Sequence, residues 1–413
     1  MDKIELGFVG LGGRGRGLLK LLCEMEDVHI AAICDVKEDL LAQGAAIVTE
    51  KTGETARQFT DFDDLLTIDE IQGVVIATSW VSHVKLAIAA MKAGKYAAFE
   101  VGGATSLEEC WRLVRTREET GVPCMMLENC CYGRTEMALL NMIRQDVFGE
   151  LIHMRGAYGH NLSDSLVNRI DVNINHYRHH HYHHRNCDNY PTHALGPICN
   201  MLDINRGNRL LTLTSTASKA RGLHHRALVN KGVDSPEAAW TWENGDVVST
   251  VIKCAHGETI CLTLDTCLPR PYSRQFYVQG VHGLYMEDGN QIYIENVSPK
   301  FDEWESFSPY LEKYDHPLWR WFIKAGVKGG HGGMDYLVQR AFVESIRDGR
   351  ETPVDAYDAA AWMSITCLSE QSVSMGSMPV PVPDFTNGAW IDRAPDPACR
   401  YSLDQVHDAL FED

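Results

Sequence analysis

No stretch of this 413-residue chain approaches the ~18 consecutive apolar residues of a membrane-spanning helix, so no spanning segment is expected. Positive charge is scarce: 38 Lys and Arg stand against 56 Asp and Glu, a net charge of −18. That balance argues against nucleic acid or an anionic membrane surface as a partner. The 13 cysteines include no Cys-x-x-Cys pair, and many, such as Cys34, Cys254 and Cys261, sit inside apolar runs. Reduced core thiols in a reducing, cytoplasmic compartment are expected. Cys130 and Cys131 are adjacent, which suits neither an ordinary disulfide nor a metal clamp. There is no internal repeat or low-complexity tract. A strand pattern begins so soon after Met1 that no signal peptide is expected.

What the chain does have is a globular balance, 45% hydrophobic and 23% charged, over a length too great for one ordinary core. Two domains are expected, 1–128 and 129–413. The first is organised around Lys3 to Asp35. Ile4, Leu6, Phe8 and Val9 form an apolar strand, and Gly10-Leu11-Gly12-Gly13-Arg14-Gly15 fits G-x-G-x-x-G. Leu18, Leu19, Leu21 and Leu22 follow at helical spacing, then a buried strand at Val28–Cys34 that ends on Asp35. Gly10 permits a tight turn, Gly12 lets the backbone approach a pyrophosphate, and Gly15 lets the helix sit close to the strand. The helix start supplies N–H groups and positive dipole. Asp35 is placed for a ribose hydroxyl, which favours NAD over NADP. Dinucleotide binding follows from the whole arrangement rather than from the glycines alone.

The alternation continues with a short helix at Phe62–Leu66, a strand at Gly73–Ala77, a helix at Val84–Ala93 and a strand at Tyr96–Val101. A capped helix from Thr105 to about Thr120 and a strand at Pro123–Leu127 complete it. The carboxyl end of this sheet opens at Thr78–His83, where Ser79, Trp80 and His83 are expected beside the cofactor. Glu128-Asn129 forms the tip of the last strand. Beyond it the rhythm changes. A helix at Thr135–Gln145 leads to an edge strand starting at Gly149–Leu151 and a strand-like Met154–Tyr158. Strands are expected at Leu210–Thr216, Ala239–Trp242, Val247–Cys254, Thr259–Thr266, Arg274–Gln279, Gly283–Met286 and Gln291–Ile294. Helices follow at Asp335–Asp348 and Ala356–Ser374, and a proline-rich tail closes the chain. The fold class is therefore α/β: an N-terminal Rossmann doubly wound parallel sheet and a C-terminal α+β domain with a mostly antiparallel sheet.

Particular segments resemble a known family. The glycine start, the Glu100 strand end and the antiparallel second half are similar to Gfo/Idh/MocA oxidoreductases. Within that family, Glu128-Asn129-Cys130-Cys131-Tyr132, Phe148-Gly149-Glu150, Asn189-Tyr190-Pro191-Thr192-His193, Pro269-Arg270-Pro271-Tyr272-Ser273 and Gly330-His331-Gly332-Gly333-Met334-Asp335 resemble the NAD-dependent glycosidases of glycoside hydrolase family 109, which include α-N-acetylgalactosaminidases. The likeness spans nearly the whole chain. Dehydrogenases of the wider family carry Glu-Lys-Pro at the strand end, with the lysine assisting proton transfer; here Val101 stands in its place. The family 109 pattern also lacks the lysine but continues with Pro-Ala, where this chain has Gly102-Gly103.

The resemblance implies NAD as cofactor and a small glycoside as substrate. Oxidation at C3 of the sugar acidifies the C2 proton, elimination expels the anomeric oxygen, water adds, and the hydride returns, with no net redox. This is an exception to the two-carboxylate rule of glycoside hydrolysis. It implies His193 and Tyr190 as catalytic residues, with Tyr272, Tyr158 and Arg178 beside them. Glu100, Val101, Asn129, Tyr158 and His331 are expected at the cofactor. The run His176 to His184 is read as a loop lining or covering the site rather than as a metal centre, since the chemistry requires no metal. By resemblance, the second domain's sheet forms dimer or tetramer contacts. Two other classes stay open at this level: a sugar or inositol dehydrogenase or 3-keto-glycoside lyase, and a non-catalytic NAD-binding regulator.

Overall fold

The computed structural model describes residues 3–168, 177–395 and 398–411. Its first half alternates strands and helices: β1 (Ile4–Val9), α1 (Gly13–Cys23), β2 (Val28–Cys34), α2 (Glu38–Thr52), β3 (Arg57–Phe59) and α3 (Phe62–Leu66). Then come β4 (Gly73–Ile76), α4 (Trp80–Lys92), β5 (Tyr96–Phe99), α5 (Leu107–Thr120) and β6 (Cys124–Met126). Apart from the polar edge strand β3, the strands are short apolar runs with nearly every residue buried, as a parallel sheet covered on both faces requires. They form one six-stranded parallel sheet in the order β3-β2-β1-β4-β5-β6. The order reverses between β1 and β4, and the crevice at such a switch point is where ligands bind. Helix starts follow local chemistry. At α5 the Ser106 side chain accepts from the Glu109 N–H, while Glu109 accepts from the Thr105 N–H.

The second half comprises α6 (Arg134–Arg144), β7 (Leu151–Gly159), α7 (Ser163–Asn168), α8 (Arg178–His184), α9 (Thr192–Met201) and β8 (Leu210–Ala217). It goes on with α10 (Gly222–Lys231), β9 (Val247–Cys254), β10 (Thr259–Asp265), β11 (Tyr277–Gly280), β12 (Gly283–Met286) and β13 (Gln291–Ile294). It closes with β14 (Glu305–Ser306), α11 (Ser308–Lys313), α12 (Pro317–Ala325), α13 (Met334–Asp348), α14 (Ala356–Ser374) and β15 (Val380–Pro381). Nine strands form a mixed, mostly antiparallel sheet in the order β14-β13-β12-β11-β7-β10-β9-β8-β15. Burial alternates along β9 and β10, so one face meets helices and the other is open.

Several local expectations are corrected. The strand expected at an edge is central: β7 lies between β11 and β10, and pairs parallel with β10. The long α7–α9 excursion supplies the crossover that parallel pairing needs. Helices therefore do interrupt the strand series. Ala239–Trp242 is not a strand. Pro236–Ala239 makes a single 3₁₀ turn capped by Ser235, and Trp240 and Trp242 turn toward α8 instead. The histidine run is helical over the described residues 178–184 rather than a loop, while His176 lies outside the described residues. The last two helices return to the first sheet. A Cβ added at Gly73 would meet Ile346 at 2.6 Å and Phe342 at 3.2 Å, and the Met126 N–H donates to the Val354 carbonyl at 3.2 Å. One contiguous apolar cluster consequently runs through both sheets.

Candidate active site

The crevice at the switch point is shaped by the glycine turn. Gly10 has φ +93°, a left-handed conformation, and a Cβ there would strike the Ala77 backbone at 2.6 Å. A Cβ on Gly15 would come within 1.9 Å of the Gly10 carbonyl oxygen, so α1 rests directly on the turn. At Gly12 and Gly13 a Cβ would meet nothing within 4 Å. That open space lies over the first turn of α1, which carries no side-chain cap. Backbone N–H groups, the helix dipole and an unfilled hollow fit a dinucleotide pyrophosphate. Asp35 stands at the end of β2 as expected. Its carboxylate is engaged inward, accepting from Leu11 N–H at 2.6 Å and Lys37 N–H at 2.9 Å, so it braces the turn.

Arg14 ties the turn to the rest of the site. Its guanidinium pairs with Glu100 at 3.0 Å and with Asp335 at 2.6 Å. Asp335 also accepts from Asn129 Nδ2 at 2.8 Å and pairs with His331 Nδ1 at 2.8 Å. Burial pushes the Asp335 carboxyl up, but His331 and Arg14 outweigh it and hold it well below the usual range. Burial lifts Glu100 above its ordinary value even against Arg14. Val101 is buried beside it. His83 is buried too, and burial lowers it to about 4; neutral at physiological pH, it donates Nε2–H to the Thr78 carbonyl at 3.0 Å.

Gly102 explains how Trp80 fits. A Cβ on Gly102 would lie 2.4 Å from the indole, so the departure from Pro-Ala makes room for the ring. Trp80 then stacks on Tyr190 (5.6 Å, 30°) and meets Tyr177 and His181. Burial lowers His181 to about 4, so it serves here as an uncharged ring. Gly102→Ala is expected to displace the indole at a cost within the 1–3 kcal/mol of overpacking, and to weaken NAD binding about tenfold. Calorimetric titration with NAD measures this; an unchanged Kd would show that the ring's seat is irrelevant to the cofactor.

The reactive cluster is assembled from four elements. Glu128 follows β6 and is fully buried. Its Oε1 accepts from His193 Nδ1 at 2.7 Å and from the Cys130 N–H at 3.1 Å. Burial would push His193 down, but the Cys130 sulfur and the Glu128 carboxylate outweigh it and raise the imidazole well above its ordinary value. Burial pushes Glu128 up, and His193 reverses that to a net lowering. The pair is thus imidazolium with carboxylate. The carboxylate, thiol and imidazole donor atoms of Glu128, Cys130 and His193 lie within 4.8 Å of one another, and the histidine-rich helix contributes no such trio among the described residues. His193 Nε2 lies 3.4 Å from the Tyr190 hydroxyl. The Tyr158 ring sits 4.4 Å from Tyr190 and 5.5 Å from His193. The Arg178 guanidinium lies over Tyr190 at 4.7 Å, Trp80 at 5.2 Å and Tyr158 at 5.9 Å. Burial raises Asp188 to about 7, and it accepts the Tyr190 N–H at 3.2 Å, steadying the turn before α9.

The expected residues therefore converge: His193, Tyr190, Tyr158 and Arg178 around one point, with Tyr272 reaching it through His160 (5.1 Å between rings). Tyr190 precedes α9, whose N-cap is Pro191, and His193 lies in the first turn of that helix. Tyr272 is 53% exposed and sits at the rim. His331, also at the rim, reaches the cluster through Asp335. Four contributors went unassigned in the sequence: Glu128, Cys130, His160 and Asp335. Glu128 had a signal in its position at the carboxyl end of the last parallel strand. His160 had one in standing two residues after Tyr158, just past the end of the same strand.

Comparison with known proteins matches both halves of the chain to described families. Residues 132–392 match the family described as glycosyl hydrolase 109, C-terminal domain, and residues 4–128 match the oxidoreductase family, NAD-binding Rossmann fold. An alpha-N-acetylgalactosaminidase of Tannerella forsythia is 40% identical over 413 residues, covering 95% of this chain and 88% of that protein. A glycosyl hydrolase family 109 protein of Parabacteroides distasonis is 39% identical over 416 residues, with 95% and 89% covered. Among solved structures, an NAD binding oxidoreductase from Klebsiella pneumoniae shares the fold with a TM-score of 0.71 at 18% identity, over 92% of this chain and 99% of that one. Levoglucosan dehydrogenase in complex with NADH and L-sorbose does so with a TM-score of 0.66 at 18% identity, over 93% and 100%.

Proposed function

The chain belongs to glycosyl hydrolase family 109 and is an NAD-dependent glycoside hydrolase, and on that premise we propose the task of each residue and the substrate. An α-linked N-acetylgalactosaminide is the substrate to test first, on the strength of the Tannerella forsythia relative. The glycine turn, Arg14, Glu100 and Asn129 hold the cofactor. NAD, when bound, supplies a hydride acceptor and donor at C3 of the sugar. Tyr158 takes the C2 proton once C3 is a carbonyl, with the Arg178 guanidinium over its ring. His193, charged beside Glu128, gives its Nε2 proton to the departing anomeric oxygen. Tyr190 and Trp80 wall the pocket and exclude water. Tyr272 at the rim serves as a further proton carrier toward the aglycone side.

The observation that carries this reading is the buried His193–Glu128 pair set among Tyr158, Tyr190 and Arg178, on a cofactor scaffold where Val101 replaces the dehydrogenase lysine. A dehydrogenase would need that lysine; an eliminating glycosidase needs an acid for a leaving oxygen. Incubation of the purified chain with an aryl glycoside in heavy water tests it. Aglycone release with deuterium at C2 and no growth of reduced nicotinamide is expected. Steady accumulation of reduced nicotinamide without aglycone would favour a dehydrogenase instead.

We also propose a cytoplasmic homo-oligomer. No helix of the described residues is long and apolar enough to cross a membrane. The open face of the second sheet carries Arg155, Val251, Tyr277 and Met286 around a cavity of about 550 Å³, away from His193, and this supports association of copies through that face.

A further inference from the structure

Tyr158 can act as a base only after its own proton has somewhere to go. Of the two imidazoles near it, His193 cannot accept, because Glu128 keeps it charged. The other is His160, which follows β7. Its Nδ1 lies 3.2 Å from the Tyr158 hydroxyl, and the two rings meet edge to face at 5.6 Å. The His160 N–H donates to the Asp265 carbonyl at 3.0 Å, so the end of β10 fixes its backbone. Tyr272 covers it from the loop before β11, at 5.1 Å and 87°.

We propose that His160 is the positioning and proton-relay residue for Tyr158: its Nδ1 takes the hydroxyl proton and its Nε2 passes one to solvent, leaving a phenolate to attack C2–H. The relay balances. The Tyr158 O–H bond breaks as an Nδ1–H bond forms, and the Nε2–H proton leaves to water. The phenolate oxygen then bonds the C2 proton, the C2–H electron pair becomes the C1–C2 double bond, and the C1–O pair departs with the proton of His193. No electron is gained or lost in these steps, and water addition runs the relay in reverse. The groups facing His160 agree with this. Tyr158 and Tyr272 touch it, the Asp265–Arg270 ion pair lies behind it beside Gly159, and Arg178, His193 and His331 surround it. Burial, then Arg178, His193 and His331, lowers the His160 imidazole below its ordinary value and keeps it neutral and able to accept at physiological pH.

The inference rests on the glycosidase reading, and the holoenzyme with an aryl glycoside separates the two. His160→Asn keeps a hydrogen-bonding atom near Nδ1 but cannot carry a proton. It is expected to lower kcat and C2 deuterium uptake together by about 100-fold, with KM, NAD affinity and single-turnover reduction of bound NAD unchanged. In the native enzyme kcat falls on the acidic side as His160 protonates; in H160N that limb disappears and the rate climbs with pH instead. Added imidazole should restore part of the exchange in H160A. Wild-type uptake and pH profile in H160N, or a matching loss of the hydride step, would overturn the relay and leave a purely structural histidine. Native enzyme that released no aglycone would overturn the glycosidase reading itself.

Discussion

His193→Asn lowers kcat for glycoside cleavage by about a thousandfold and leaves NAD binding unchanged. The expectation comes from where the proton sits. Glu128 is fully buried, and its hydrogen bond to His193 Nδ1 is only 2.7 Å, so the imidazole is held as the acid that a departing oxygen needs. Asparagine can still occupy Glu128 but has no proton to give. The variant also leaves a buried carboxylate without its cation, which costs about 3 kcal/mol of stability, readable as a shift in the urea midpoint. The pH dependence follows from both partners. His193 is raised, so its share is complete below the unfolded histidine value of about 6.5 and is lost as pH rises through the folded value. Glu128 is lowered, so its share is complete above the unfolded carboxylate value of about 4.3 and is lost as pH falls through the folded value. The midpoint difference between wild type and variant is therefore largest between about pH 4.3 and 6.5. A variant that kept wild-type kcat would remove His193 from the chemistry.

The second large effect is predicted at the glycine turn. Arg14→Ala removes the one guanidinium that bridges Glu100 and Asp335, both mostly buried. Two carboxylates then share a site with His331 and the Asn129 amide beside Asp335. A loss of about 3 kcal/mol is expected, the low end for a broken buried pair because Arg14 is about one-third exposed. The sign with pH is set by Asp335. Its depressed value contributes stability above the unfolded value of about 3.9, so the penalty of R14A is largest at neutral pH and shrinks in acid. NAD affinity should fall at least tenfold, since the turn loses the tie that holds it against β5 and α13. Denaturation of wild type and R14A at pH 7 and at about pH 3, below the unfolded carboxylate value, reads the first effect, and equilibrium titration with NAD the second. Equal urea midpoints at pH 7 would show that the two acids are neutralised by other means.

The parts of this architecture written in short-range chemistry were the ones legible in the sequence. Residues 3–35 combine an apolar run, a turn only glycine allows, a helix and an acid within one βαβ unit, so each step constrains the next. The helix start at Ser106 was readable for the same reason, because a cap depends on residues three apart. The central place of β7 was not readable: its partner β10 lies about a hundred residues on, and a parallel register leaves no local trace. The helix at 178–184 was hidden because histidine is an indifferent helix former and its face is fixed by Trp240, Trp242 and Trp80 from elsewhere. The reactive pair was half legible. His193 stands in a distinctive Tyr-Pro-Thr-His segment, while Glu128, 65 residues earlier, gains its role only when two sheets meet.

The return of α13 and α14 to the first sheet bears on how the polypeptide is finished during synthesis. Gly73 and Met126 emerge from the ribosome long before Phe342, Ile346 and Val354, the residues that cover them. At roughly 5–20 residues per second, the interval is on the order of ten seconds or more. Throughout it the nascent nucleotide-binding half carries a bare apolar flank, a surface that chaperones grip and that sticks to its own copies. Completion of that half is thereby deferred until α13 and Val354 have been made, so a ribosome that stalls before them releases an aggregation-prone chain rather than a working cofactor module.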